Sequence, residues 1–382
     1  MARWLRSNRA WWIAAALIVA ALFALLASIA RRTTLSAGGD GLKPGESEPV
    51  RAQVVEVLED GTVLQGEHEQ PYQRLLLRLT EGAYQGQEVE VEHGLLGFTN
   101  QTLVFHAGDR VLLEHTRTLD GADVFLITDY VRARPLLWLT GLFVAATLAL
   151  SGWQGIRSLV GMAISLVIII AFVVPQILAG RNPVIIAVLG SVGMMGLSLY
   201  LVYGWCRKTH VAVAGLFLSL VITGLLATWF VDWARLAGFG AEEASFLQVA
   251  GVRLDTQGLL LAGIIIGTLG ALDDIAVGQS STIVELSKAN PRLGWQALFR
   301  HGMVVGRDHI AAMVNTLLLA YAGAALPLLL LFSVHAEPLG MTINRGIIAE
   351  EIVRTLVGSL GLLAGVPLTS LIAALVAQRR SE

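Results

Sequence analysis

Cysteine is almost missing from this chain: Cys206 is the only one in 382 residues, which excludes an internal disulfide and a cysteine metal cluster. Charge is also sparse. Lys, Arg, Asp and Glu together make up 15% of the residues and leave a formal net charge of −2, so nothing basic argues for a nucleic-acid partner. The usual marks of catalysis are missing too. There is no Gly-x-Ser-x-Gly, His-Glu-x-x-His or phosphate-loop pattern, and the glycines of GTLGAL do not sit in the strand-turn-helix setting of a dinucleotide fingerprint. Enzyme chemistry is therefore the least favoured class.

What the chain does have is apolar length. Hydrophobic residues make up 55% and the mean hydropathy is +0.66, values that match several spans of about 20 apolar residues. The runs fall at Trp11 to Ala30, Leu136 to Leu150, Ile156 to Val174, Pro183 to Tyr203, Val211 to Val231, Gln257 to Leu272, Ile310 to Phe332 and Leu356 to Val376. They predict a polytopic α-helical membrane protein with about eight transmembrane helices. The first run follows Arg3, Arg6 and Arg9 and is longer than a usual cleavable signal, so a retained anchor is expected. With the N-terminus inside, twelve Lys and Arg face the cytoplasm against five on the outer side of the spans that follow the strand-rich region. That bias puts both termini in the cytoplasm.

Between the first two runs the material changes. Residues 1–32 are read as the cytoplasmic flank and first helix, and 33–49, marked by Gly, Ser, Lys and Glu with Pro44, as a linker. Residues 50–133 hold VRAQVVEVL, QRLLLRLT, QEVEVE, DRVLLEH and DVFLITDY, short β-patterned stretches separated by glycines. They predict a small β-rich extracytoplasmic domain, a barrel or compact sheet, between the first and second helices. His68, His93, His106 and His115 are scattered through it without metal-ligand spacing and read as surface or turn residues. Residues 134–377 form the expected seven-helix bundle, with a polar motif loop at 273–309, and 378–382 a cytoplasmic tail.

That polar motif is the candidate site. Asp273 and Asp274 end an apolar glycine-rich run, and an ionisable group near hydrocarbon needs water, protein or a partner. The pair either binds something there or lies in the headgroup region. Gln279 and Ser280 add uncharged oxygen donors, and Ser280 or Ser281 could instead cap a following helix before Glu285. Asn290 and Pro291 stop that helix. His301, Asp308 and Asn315 recur at intervals of seven and share one helix face, with Arg307 or His309 at its edge. Carboxylates brought together from the two segments would bind a hard cation, relay protons, or form an Arg307–Asp lock between helices. On the other side, Asp232, Glu242, Glu243, Asp255, His335, Glu337, Glu350, Glu351 and Arg354 form an acidic rim, in which Glu350 and Arg354 are spaced for a helical pair. Gly263 with Gly267, Gly302 with Gly306, and Gly361 with Gly365 have the spacing of close helix packing.

GTLGALDDIAVGQSSTIVELSKANPRL and FRHGMVVGRDHIAAMVNTLLLAYAGAALPLLLLF resemble the signature of the YibE/F-like family of bacterial multi-spanning membrane proteins, and the resemblance runs over nearly the whole chain. Asp273, Asp274, Gln279, Ser280, Arg307, Asp308, His309 and Asn315 match the family's polar positions, and Tyr321 to Pro327 continue the motif. The resemblance implies a protein of the bacterial inner membrane and supplies no reaction to transfer. Three readings follow. The first is a transporter or permease for a small ion or polar solute, with a possible bound cation at those residues. The second is an assembly or regulatory protein that organises partners, as a homodimer or with an extracytoplasmic protein. The third is an intramembrane enzyme.

Overall fold

The computed structural model describes residues 47–65, 68–81, 84–94, 103–118, 123–240, 255–334 and 338–378. The expected span at Trp11 to Ala30, most of the linker, Glu242, Glu243, Arg253, His335, Glu337 and the C-terminal tail from Arg379 onward lie outside the described residues. The chain divides into two compact units, one ending at Leu150 and the other beginning at Ser151.

In the first unit all five β-patterned stretches are strands: β1 (Ser47–Gln65), β2 (His68–Leu79), β3 (Glu88–His93), β4 (Arg110–Arg117) and β5 (Asp123–Tyr130). They form one antiparallel sheet in the order β3-β2-β1-β4-β5. Alternation determines the register. Ala52 pairs with Leu79 on one side and Val111 on the other, and Val54 pairs with Leu77, so the buried residues of three strands share a face. Phe105 is sealed into this core, where Gln73 accepts from its backbone N–H at 2.7 Å and donates to its carbonyl at 3.1 Å. His93 and His115 are buried in the core as well, not on the surface as expected. His93 packs edge-on to Phe105 and His115 stacks on Phe125, because an aromatic ring with one polar edge fills a core position once that edge has a partner. For His115 the partner is Asp123, at 3.0 Å.

The helices are α1 (Ala133–Leu178), α2 (Pro183–Tyr203), α3 (Arg207–Trp233), α4 (Thr256–Ala289), α5 (Trp295–Ala324), α6 (Leu326–Val334), α7 (Leu339–Thr342) and α8 (Gly346–Gln378). Among the described residues six are long and apolar enough to cross a membrane: α1 to α5 and α8. The expectation of eight spans with the β domain between the first and second is therefore corrected. The runs at Leu136 to Leu150 and Ile156 to Val174 belong to one helical stretch, and the sheet precedes the first of the six. The polar residues between those runs include no proline, and the backbone stays helical on both sides of a local break at Gly152 (φ 54°, ψ −127°). A left-handed φ of this kind is tolerated by glycine.

The segment at 273–309 is likewise not a loop. α4 runs unbroken through Asp273 and Ser281 to Ala289, a turn at 290–294 follows, and α5 begins at Trp295. Ser280 and Ser281 do not cap a new helix. Both donate to the carbonyl of Val277, so the hydroxyls are satisfied inside the helix and nothing breaks it.

Large apolar side chains lie bare along these helices, among them Leu137, Trp138, Leu139, Leu142, Leu318, Leu319 and Leu330. A surface of that kind is stable against lipid and costly against water. The protein is a polytopic membrane protein. Its core is a triangle of α3, α4 and α8, with α2 against α4 and α5 against α8 and α4. Glycines allow the close approach. A Cβ on Gly361 would lie 1.9 Å from Thr223 Oγ1, one on Gly215 2.2 Å from Thr369 Oγ1, and one on Gly365 3.1 Å from Ser219 Oγ. Gly263, expected to pack in the same way, has no neighbour within 4 Å.

Candidate functional site

Asp273 lies at the middle of α4, where Leu272, Ile275 and Ala276 are buried in the main apolar cluster. Its neighbours in sequence take it halfway inside. The residue is half-buried, and its Oδ1 is sealed from solvent with no hydrogen-bond partner. Asp274, one step round the helix, is exposed, and its carboxylate is the charge that bears on Asp273. Both lie within electrostatic reach of the Tyr203 phenol at the end of α2.

One to two turns further along, Gln279 is completely buried (0% exposed). Its Oε1 accepts from Ser370 Oγ of α8 at 3.0 Å, while its Nε2 has no partner. Gly306 of α5 lets it lie there: a Cβ at that position would come within 2.9 Å of Nε2 and 2.5 Å of Val366. Ser280 is also completely buried, and beside Ser370 the buried Thr369 Oγ1 is unpartnered. Three unpaired polar atoms, on Asp273, Gln279 and Thr369, thus occur in the α4 and α8 part of one bundle. Natural interiors leave few such atoms, since each costs about 1–3 kcal/mol.

The second half of the motif behaves differently. His309 is half-buried, and its ring lies 3.3 Å from where a Cβ of Gly278 would stand. Arg307, Asp308 and Asn315 are exposed on α5, and α5 is almost unburied along its apolar length. The heptad spacing of His301, Asp308 and Asn315 does describe a shared face, and that face points away from the bundle. Among the described residues no ion pair joins Arg307 to an aspartate, and no group of three or more His, Cys, Asp and Glu side chains converges. The sequence motif therefore splits into an inward set, Asp273, Gln279 and Ser280 with His309 at its edge, and an outward set on α5.

The described residues of the acidic rim have structural duties. Glu350 is 4% exposed and its carboxylate accepts from the backbone N–H groups of Gly238 and Gly240, each at 2.9 Å. Arg354 pairs with Glu351, not with Glu350 as its spacing suggested. Asp255 caps α4 by accepting from Gly258 N at 2.9 Å, and Asp232 accepts from Gln257. A carboxylate already filled by backbone N–H groups has little capacity left for a passing cation.

Sequence reasoning missed Ser370 and Thr369, which sit in an apolar run with nothing local to mark them. The close-packing pair Gly302 and Gly306 was the signal available, since a glycine facing a neighbouring helix implies a side chain that needs the room.

Residues 139–379 match the family model described as YibE/F-like protein. The match covers the helical part and leaves out the strand-rich region, so it is narrower than the resemblance over nearly the whole chain. No curated protein and no solved structure matches.

Proposed function

The chain belongs to the YibE/F-like family of membrane proteins, and from that premise we propose that it is a transporter or permease for a small ion or polar solute, with Asp273 as the binding or coupling group. The observation that carries this reading is the sealed, partnerless Oδ1 of Asp273 beside a second carboxylate. A protein that keeps such an atom within its bundle gives up stability there, and a cation or proton arriving during turnover would supply the missing partner. Position supports the same reading. α2 has 21 residues, about 31 Å of helix and so about one bilayer core in length. Pro183 at its start packs against Gly258, and Tyr203 at its end lies within electrostatic range of the aspartates. The pair then sits at the depth that lipid covers, in its last third.

Two carboxylates without a third ligand suit a proton or a transiently held cation better than a resident divalent ion, which takes six to eight oxygens as calcium or an octahedron as magnesium. Gln279, Ser280, Ser370 and Thr369 continue the polar path along α4 and α8. Arg207, Lys208, Lys288, Arg292 and Arg300 gather at the end of the bundle that holds Tyr203 and Asn290, which supports reading that end, with the C-terminus of α8, as the cytoplasmic one. The β-rich domain, which we place on the extracytoplasmic side, gates access or recruits a protein partner there.

The test is flux of protons, monovalent and divalent cations into proteoliposomes. Asp273→Asn should abolish the native flux, whereas Asp308→Asn, on the outward face of α5, should leave most of it. Flux indifferent to Asp273→Asn would end the carboxylate-centred reading.

A second reading, assembly, rests on the outward set. Arg307 beside Asp308 on an exposed apolar helix is self-complementary, and a second copy related by a two-fold axis would pair each with the other. A protein silent under every gradient, whose oligomer is lost on Arg307→Gln, would favour it.

A further inference from the structure

A polar cavity of about 500 Å³ opens where three helix segments meet on the helical unit. It is lined by Ser151, Trp153, Gln154 and Arg157 of α1, just around the Gly152 break, by Tyr203 at the end of α2, and by Lys208 in the first turn of α3. Two cations share it. The Arg157 guanidinium carbon sits 5.5 Å from the centroid of the Trp153 ring, and Lys208 Nζ 5.1 Å from that of Tyr203. Both side chains are half-buried, and among the described residues neither forms an ion pair with a carboxylate. Cations held against aromatic faces are pre-positioned, so a ligand that accepts from both spends little ordering them.

The surroundings indicate where such a ligand comes from. Trp205 is exposed and stacks on Tyr200, whose hydroxyl meets His210 Nδ1 at 2.8 Å. Amphipathic aromatics gathered beside Arg207 and Lys208 mark the level of lipid headgroups. Leu150, next to the cavity in sequence, is bare, as a residue facing acyl chains would be.

We infer that this cavity binds a phosphate group, with Arg157 and Lys208 as its donors, and that the phosphate is the phosphodiester of an anionic phospholipid. The geometry fits the chemistry: the fork of Arg157 donates two parallel bonds to a phosphate, Lys208 adds a point charge, and Gln154 and Ser151 offer neutral donors to a headgroup. Basic pockets between membrane helices at the cytoplasmic surface recognise headgroups in this way. Tyr203 links the cavity to the aspartates, since it lines the first and lies within reach of the second. The inference does not depend on transport.

The experiment uses the delipidated full chain and native mass spectrometry, with short-chain phosphatidylglycerol, short-chain phosphatidylcholine and inorganic phosphate as probes. Phosphatidylglycerol should bind at least about 10-fold more tightly than phosphatidylcholine, the equivalent of one charge-assisted hydrogen bond. Arg157→Gln with Lys208→Gln should remove that preference, while the matched control Arg292→Gln with Arg300→Gln, two exposed cations, should retain it. Phosphate binding that the same pair of substitutions abolishes, without any preference between the lipids, would keep the phosphate site and overturn its lipid source. Equal binding of both lipids with no phosphate binding by the native chain would overturn the site itself, whatever the variants do.

Discussion

Asp273→Asn should make the protein more stable while stopping its flux. The side chain keeps its shape, and the change removes a charge whose Oδ1 is sealed with no donor facing it. A buried polar group without a partner costs about 1–3 kcal/mol, and a charged one more. Asp273 is only half-buried, so its other oxygen retains part of its solvation and the full charged penalty does not apply. Asparagine retains an imperfectly paired amide, leaving a net gain of about 1–2 kcal/mol. For a unit of this size that is a rise in Tm of about 2–8 °C. The assay is thermal unfolding in one detergent at pH 8, where carboxylates carry charge, beside Asp274→Asn, whose exposure predicts a change within about 0.5 kcal/mol. A double-mutant cycle with Arg307→Gln completes the test. If Asp273→Asn lowers Tm, and the cycle shows more than about 1 kcal/mol of coupling to Arg307, the carboxylate is part of a helix lock. The argument from its missing partner would then be wrong.

Gly361→Ala should destabilise the α3–α8 contact by about 2 kcal/mol net, an overpacking cost of about 3 offset by about 1 of helix propensity. Thr223→Ala in the same chain should restore most of it, because the three atoms nearest the added Cβ all belong to Thr223; chemical unfolding of the two single variants and the double measures this. The β sheet should lose protection as the pH falls below about 6.5. Burial holds the His93 pKa below its ordinary value, with a hydrogen bond to the backbone of Leu103 opposing it. The folded state therefore binds fewer protons than the unfolded one, and its stability is complete above that range and falls as protons are taken up. Amide exchange of β2 and β3, corrected for the intrinsic rate, should show the loss in the native chain and not in His93→Phe.

The strands were legible because alternation is local. VRAQVVEVL and DRVLLEH place apolar residues on one face by period alone, and pairing has only to bring those faces together. The helix bounds were not legible at two places for the same reason. Sequence shows where hydropathy pauses, at Ser151 to Gly155 and at Asp273 to Ser281, but a helix continues through polar residues wherever its hydroxyls and amides are satisfied locally. Gln279 was legible as a polar side chain, and its depth was invisible, since burial there depends on Gly306 leaving room on another helix.

Composition and hydropathy by themselves determined that this is a membrane protein with a strand-rich region, because each residue's transfer energy and local period are its own properties. Only the tertiary structure decided which motif residues face the bundle and which face away from it. Asp273 and Gln279 turn inward, Asp308 and Asn315 turn outward, and Arg157 meets Lys208 across 51 positions of chain. The rotation of one helix against its neighbours sets such meetings, and that rotation is chosen by glycine contacts between segments far apart in sequence.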